Sequence, residues 1–380
     1  MLSFKLFFQE RRFFAPAFMY VSFALVFSTW IIYIPFIVDR LSLSEGRLGF
    51  ALFMASLGSL VMIPVSNRLT DRVGVGRQAF WGFILYGVSL YGIFWAASYS
   101  WLIIALFYYG MTSAIFSIAM NSMVAEIEKQ AGKYIMTGIH GFWSVGGIIG
   151  ASMGSFVAGK FNMPFVHISV LLAMVFTVMF WLRKEYVHVK SPVRIKSVRR
   201  SFPFKPLVII ATIAMLMMAS EGAIADWSGL YLKHVVLVEA QYLGLGYAFF
   251  SAGMTLGRFS GDALSFRLGS WRLLSFAMAS GLLGFGLVLF AVASISFFGF
   301  FVIGLGFSIV VPELYRMASN IKGVRAADGI SIIAATSNIG MLAGPAILGI
   351  IAGTYGLFYS FVALAGFVFL ALLFTFFRRI

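Results

Sequence analysis

The chain has 380 residues, of which 61% are hydrophobic and 11% charged, and its mean hydropathy is +0.97. Soluble domains carry about 25% charged residues, and a chain this apolar cannot furnish a polar skin, so a soluble enzyme, a nucleic-acid module and a disordered scaffold are excluded. The net charge of +15 then needs a topological explanation. The absence of cysteine, with four scattered histidines, leaves no expectation of a disulfide, a metal centre or a cofactor.

A membrane helix needs roughly 20 mostly apolar residues. Twelve such runs follow one another at 14–38, 47–66, 78–98, 101–124, 137–159, 163–182, 206–232, 242–262, 271–293, 295–317, 327–352 and 356–377. The first follows Lys5, Arg11 and Arg12 and has no small-residue cleavage site, so it reads as span 1 and not as a cleaved leader. With the N-terminus in the cytoplasm, 24 Lys and Arg residues fall on the inner side and 4 on the outer. That bias predicts an even number of spans with both ends in the cytoplasm, and it accounts for the net charge without nucleic acid. The longest connector, Arg183 to Lys205, holds eight of the basic residues.

After span 2 the chain reads Asn67-Arg68-Leu69-Thr70-Asp71-Arg72-Val73-Gly74-Val75-Gly76-Arg77, and after span 8 Asp262-Ala263-Leu264-Ser265-Phe266-Arg267-Leu268-Gly269-Ser270-Trp271-Arg272. A constant shift of 195 superposes Arg72 on Arg267, Gly74 on Gly269 and Arg77 on Arg272. The chain therefore divides into a six-span bundle over 1–182, a basic linker over 183–205 and a second six-span bundle over 206–380.

Loop 67–77 resembles the signature Gly-x-Leu-x-Asp-Arg-x-Gly-Arg of the major facilitator superfamily, with Asn67 for the first glycine and one extra residue before Arg77. The likeness extends to a bacterial branch of permeases near the fucose-permease-like sugar transporters. It is carried by Ser28-Thr29-Trp30, Ala119-Met120-Asn121, His140-Gly141-Phe142-Trp143-Ser144, Asp226-Trp227-Ser228 and Val311-Pro312-Glu313. The resemblance implies an all-α membrane protein of twelve transmembrane helices in two pseudo-symmetric bundles, working by alternating access in a bacterial inner membrane. It also implies that Asp71 closes the cytoplasmic side against a helix N-terminus, with Asn67, Arg72, Arg77, Arg258, Asp262 and Arg267 as its gate partners. A plain topology-fixing basic loop is the other reading.

Three carboxylates lie within apolar runs: Glu221, Asp226 and Glu313. A bare charge at mid-bilayer costs at least ~2.5–3.5 kcal/mol, so such groups face a wet interior and often carry protons. Glu221 and Asp226 stand five residues apart, about 140° around an ideal helix, so they cannot both point straight into one cavity. Each could instead be a structural acid bonded to a hydroxyl. Glu313 follows Pro312 and precedes Arg316 by three, which fits a local ion pair as well as a coupling role. Candidate solute contacts are Trp30, Tyr33, Asn121, His140, Trp143, Trp227 and Asn338. Helix packing is the competing use of each. No Gly-x-x-x-x-Gly-Lys-Ser/Thr occurs, so no ATPase is expected. The expected function is proton-coupled symport of a sugar or related polar metabolite by a monomer, without enzymatic activity. Its partners are then the solute, protons and the lipid bilayer. Proton-driven efflux of an amphipathic compound is the alternative.

Overall fold

The computed structural model describes residues 7–132, 135–161, 163–190, 205–321 and 326–376, and among them there is no strand. The side chains of Asn67 and Asp262, and most of the predicted linker, lie outside the described residues. A chain in hydrocarbon must satisfy its own backbone N–H and C=O groups, which the α-helix does within each segment. The first six helices are α1 (Arg11–Leu41), α2 (Glu45–Val73), α3 (Val75–Phe94), α4 (Tyr99–Ala131), α5 (Met136–Phe161) and α6 (Pro164–Leu182). After the connector come α7 (Lys205–His234), α8 (Leu245–Leu268), α9 (Ser270–Leu289), α10a (Ala293–Phe307) with α10b (Val310–Ser319), α11 (Ala326–Tyr355) and α12 (Leu357–Phe376). These elements occupy the twelve predicted runs. Ten helices among the described residues are long and apolar enough to cross a membrane, with α10a and α10b counted as one.

The residues group into two compact units, 1–43 with 51–194, and 44–50 with 195–380. In the first unit α1 packs on α5 and α3 on α4, and in the second α7 packs on α11 and α9 on α10a. The repeat seen in sequence recurs in these crossings. A Cβ at Gly146 of α5 would overlap the carbonyl oxygen of Val21, and one at Gly340 of α11 would overlap that of Met215. Gly110 of α4 meets the Ala55 carbonyl of α2 in the same way, and Gly304 of α10a meets that of Phe250 of α8. Each later glycine stands 194 positions after its counterpart, one fewer than the shift that aligns the two turns. Missing side chains let these backbones touch, which is how membrane helices gain dispersion energy where lipid tails compete for every apolar surface.

Stretch 67–77, read from sequence as a loop, is corrected: α2 continues through Val73 and α3 begins at Val75, so Gly74 alone makes the turn. Arg, Thr and Asp are tolerated where a helix emerges into water, so the polar residues extend the helix and do not end it. Gly74 has φ +85° and ψ 152°, a conformation only glycine adopts without strain, and Gly269 repeats it with φ +76° and ψ 154°. The start of the connector docks on this turn. The Gly76 N–H donates to the Val189 carbonyl at 3.1 Å, while the buried Tyr186 hydroxyl donates to the Met179 carbonyl at 3.0 Å. Burial pushes the Tyr186 ionisation upward and keeps it a neutral donor.

Two further features are local. Span 10 is broken between α10a and α10b at Ser308 and Ile309. Pro312 lacks the N–H that would close onto the Ser308 carbonyl, so the ladder lapses there. At the other end of the chain, Glu128 of α4 accepts the N–H groups of Ile135 and Met136 at 2.8 Å each, capping the start of α5. Glu128→Ala frees both donors and should cost about 1 kcal/mol. A melting curve in detergent checks this, with Gln130→Ala as the control on the same turn of α4.

Candidate functional site

Each unit gathers polar side chains within its spans. In the first unit α1 supplies Tyr20, Phe23 and Phe27, one face at helical spacing. The Tyr20 hydroxyl donates to Asn121 Oδ1 of α4 at 2.5 Å, and Asn121 Nδ2 donates to the Ser117 carbonyl at 2.7 Å. The ring of His140 from α5 meets Tyr20 edge-on with centroids 5.1 Å apart. Trp143, one turn further along α5, lies 4.7 Å from Phe23 and 5.6 Å from Phe27. Tyr20 is buried, Asn121 and Trp143 are half-buried, and His140 is exposed. Two predicted contacts, Asn121 and His140, are thus brought together around Tyr20, a residue that the sequence reading missed, and Trp143 packs one turn away on Phe23 and Phe27 of the same α1 face. The signal for Tyr20 was the i, i+3, i+7 aromatic face of α1, which is indistinguishable from ordinary core packing.

Trp30 and Tyr33 stand apart from this niche. They are 2% and 1% exposed. Trp30 packs near Tyr109 at 6.4 Å, and the Tyr33 hydroxyl lies 3.3 Å from Nδ1 of His167.

In the second unit, Glu221 and Asp226 both keep an accessible edge although they lie well inside a 28-residue span. Across from them α8 presents Tyr247, Ser251 and Arg258. The Tyr247 hydroxyl hydrogen-bonds the Ser251 side chain, and the charges of Glu221, Asp226 and Arg258 all act on it. Arg258 also acts directly on Glu221. The residue expected at a gate therefore lies near enough to an intramembrane carboxylate for its charge to act there. Trp227 is 1% exposed, and its indole N–H and the Ser228 hydroxyl are buried without a partner. Asn338 is exposed on α11.

Glu313 opens the first turn of α10b and is 2% exposed. Its Oε1 lies 3.1 Å from Nη1 of Arg316, which also donates to the Ser265 hydroxyl of α8, and its Oε2 has no partner. At the signature turn Asp71, Arg72 and Arg77 are exposed, as is Arg267 at the second turn. Behind the first turn lies a residue the sequence reading passed over, Gln78. Its Oε1 accepts from Thr70 at 2.6 Å, and its Nε2 donates to Ser66 Oγ at 2.7 Å and to the Ile115 carbonyl at 3.2 Å. One buried amide thus ties α2, α3 and α4 together.

Repeated units of membrane-length helices, with charged groups kept inside among the described residues, are an architecture used by membrane transporters. A family model for the Major Facilitator Superfamily matches residues 16–328, and the chain belongs to that family. It is accordingly an integral membrane transporter with a small-molecule substrate, and not an enzyme. The chain is 29% identical to the uncharacterized transporter y4wD of Sinorhizobium fredii, over 81% of this chain and 82% of that one. It is 28% identical to membrane protein MosC of Rhizobium meliloti, over 83% and 78%. Among solved structures it resembles the nucleoside transporter NupG, with TM-score 0.74, 12% identity and coverage of 98% of this chain and 100% of that one. It also resembles a bacterial homolog of the human lysosomal transporter Spinster in an inward-facing, occupied conformation, with TM-score 0.69, 16% identity and coverage of 96% and 95%. At these identities the likeness to solved structures concerns the fold.

Proposed function

We propose that this transporter imports a sugar or a related polar metabolite together with protons. In this reading it acts as a monomer in the bacterial inner membrane, with both termini in the cytoplasm. The bundles over 1–182 and 206–380 rock by alternating access, and Asp71 with its flanking arginines secures the cytoplasmic side. The observation that carries the reading is the group formed by Glu221, Asp226, Arg258 and Tyr247. Two carboxylates against one guanidinium leave a site able to gain and lose a proton without stranding a bare charge in hydrocarbon. The first-unit cluster supports a polar solute through the exposed His140 imidazole and the half-buried Trp143 ring, which offer a hydrogen-bonding group and an aromatic face.

The test is uptake of labelled metabolites into proteoliposomes under an inward proton gradient. Candidates come from a thermal-shift screen, in which a bound solute raises the melting temperature. Accumulation driven by the gradient supports the proposal. Solute leaving as protons enter would replace import by efflux antiport, and transport indifferent to the gradient would remove coupling.

A further inference from the structure

The first unit has a groove of about 450 Å³ by Tyr33 and Asp39, and a smaller one of about 210 Å³ beside the Gly74 turn. The smaller one has the clearer chemistry. Its walls are Leu69 and Val73 of α2 and Trp81 and Leu85 of α3, with Arg77 at the end nearest the turn. Gly82 opens it: a Cβ there would come 3.1 Å from Cα of Phe116, so α3 and α4 approach backbone to backbone and leave a trough outside the crossing. Gln78 also lines the groove, but its amide is fully engaged with Ser66, Thr70 and Ile115. The trough therefore has little use for water or a sugar. Trp81 is 61% exposed and Leu85 42%, on a helix whose surroundings are the bilayer.

The charged end is assembled from separate stretches of chain. Arg77 lines the groove and is exposed. Docking of the connector brings Lys190 to the turn, its Cγ 3.3 Å from where a Cβ on Gly74 would lie. Arg72, in the last turn of α2, is exposed, and Asp71 is the acidic residue of that turn. The balance is positive at one end of an apolar trough. From Arg77 to Leu85 the trough runs about 12 Å along the helix, close to the depth of one leaflet's ~15 Å of hydrocarbon.

We propose that this groove is a binding site for one anionic phospholipid. Its phosphate sits between Arg77 and Lys190, and an acyl chain lies along Val73, Trp81 and Leu85. The complementarity is with a negative headgroup joined to a long chain. A free phosphate would leave the apolar trough unused, and a zwitterionic lipid would gain less from the two cations. The proposal does not depend on which solute is carried or on the coupling ion.

The test uses the full chain in detergent, titrated with phosphatidylglycerol or phosphatidylcholine carrying brominated acyl chains, which quench nearby tryptophan. Quenching by phosphatidylglycerol should reach half-maximum at a concentration at least about fivefold lower than by phosphatidylcholine. Trp81→Phe should remove that component of the quench. The double variant Arg77→Gln/Lys190→Gln should bring phosphatidylglycerol to the level of phosphatidylcholine, while Lys160→Gln, at the end of α5, should change nothing. Millimolar inorganic phosphate should not protect Trp81. Equal quenching by the two lipids, a phosphatidylglycerol preference that survives Trp81→Phe, protection by phosphate alone, or full preference in the double variant would each overturn the assignment. Should the double variant fail to fold on size exclusion, the lipid comparison in the parent and in Trp81→Phe decides it.

Discussion

Glu221→Gln should abolish proton-driven accumulation while leaving exchange of labelled solute down its own gradient. One charge carried across ~100 mV supplies about 2.3 kcal/mol, which sustains roughly a 50-fold concentration ratio. Without its principal titrating group the ratio should fall toward one. The amide keeps the size of the carboxylic acid and can still hydrogen-bond near Tyr247, so binding should survive and the loss should fall on coupling. Glu221 is the first α7 candidate to test because it lies within reach of the Arg258 charge. Asp226→Asn should therefore reduce accumulation less. Glu313→Gln should act mainly on stability, since it weakens a bond to an Arg316 that is already 43% exposed. Accumulation ratios measured in proteoliposomes at fixed pH steps distinguish these outcomes. If all three variants accumulate solute like the parent, the carboxylates are structural and the coupling group lies elsewhere.

How far these features could be read in the sequence depended on whether the signal was local. The twelve spans were legible because a bilayer demands about 20 apolar residues at a time, and the repeat because Gly74 and Gly269 need the same unusual φ at matched positions. The extent of α2 was not legible. Polar residues between two apolar runs read as a loop, yet nothing in Asn67 to Val73 forbids helix, and the turn contracts to one glycine. Pro312 signalled a disturbance, and the structure turns it into a full break of span 10. Long-range partners were the least legible. The Tyr20–Asn121 bond joins positions 101 apart, and Gln78 reaches Ile115 across 37. No periodicity in one strand of sequence announces a bond of that kind. Arg258 was assigned to a gate by its place near the second turn, while the packing of α8 on α7 brings its charge to bear on Glu221.

The glycine crossings yield the other large effect, on stability. Gly110→Ala adds a methyl group where the Ala55 carbonyl oxygen already sits, and Gly304→Ala does the same against Phe250. Neither obstacle is a side-chain tip that can swing away. Both are backbone, so α2 and α4, or α8 and α10a, must separate along their contact. Overpacking of a tight core costs about 1–3 kcal/mol, and here the lost interhelical contact adds to it. Gly286→Ala and Gly366→Ala are the matched controls, because a Cβ at either meets nothing within 4 Å. Alanine in a helix interior gains about 0.5–1 kcal/mol over glycine, so these two should melt at or slightly above the parent temperature. The first pair should melt several degrees below it and reach the membrane in lower yield. Since Gly110 and Gly304 hold equivalent places in the repeat, their losses should be similar in size. If Gly110→Ala and Gly304→Ala unfold with the parent while the controls do not rise, close backbone contact is not what holds each bundle together, and the 194-residue correspondence between the crossings has no energetic meaning.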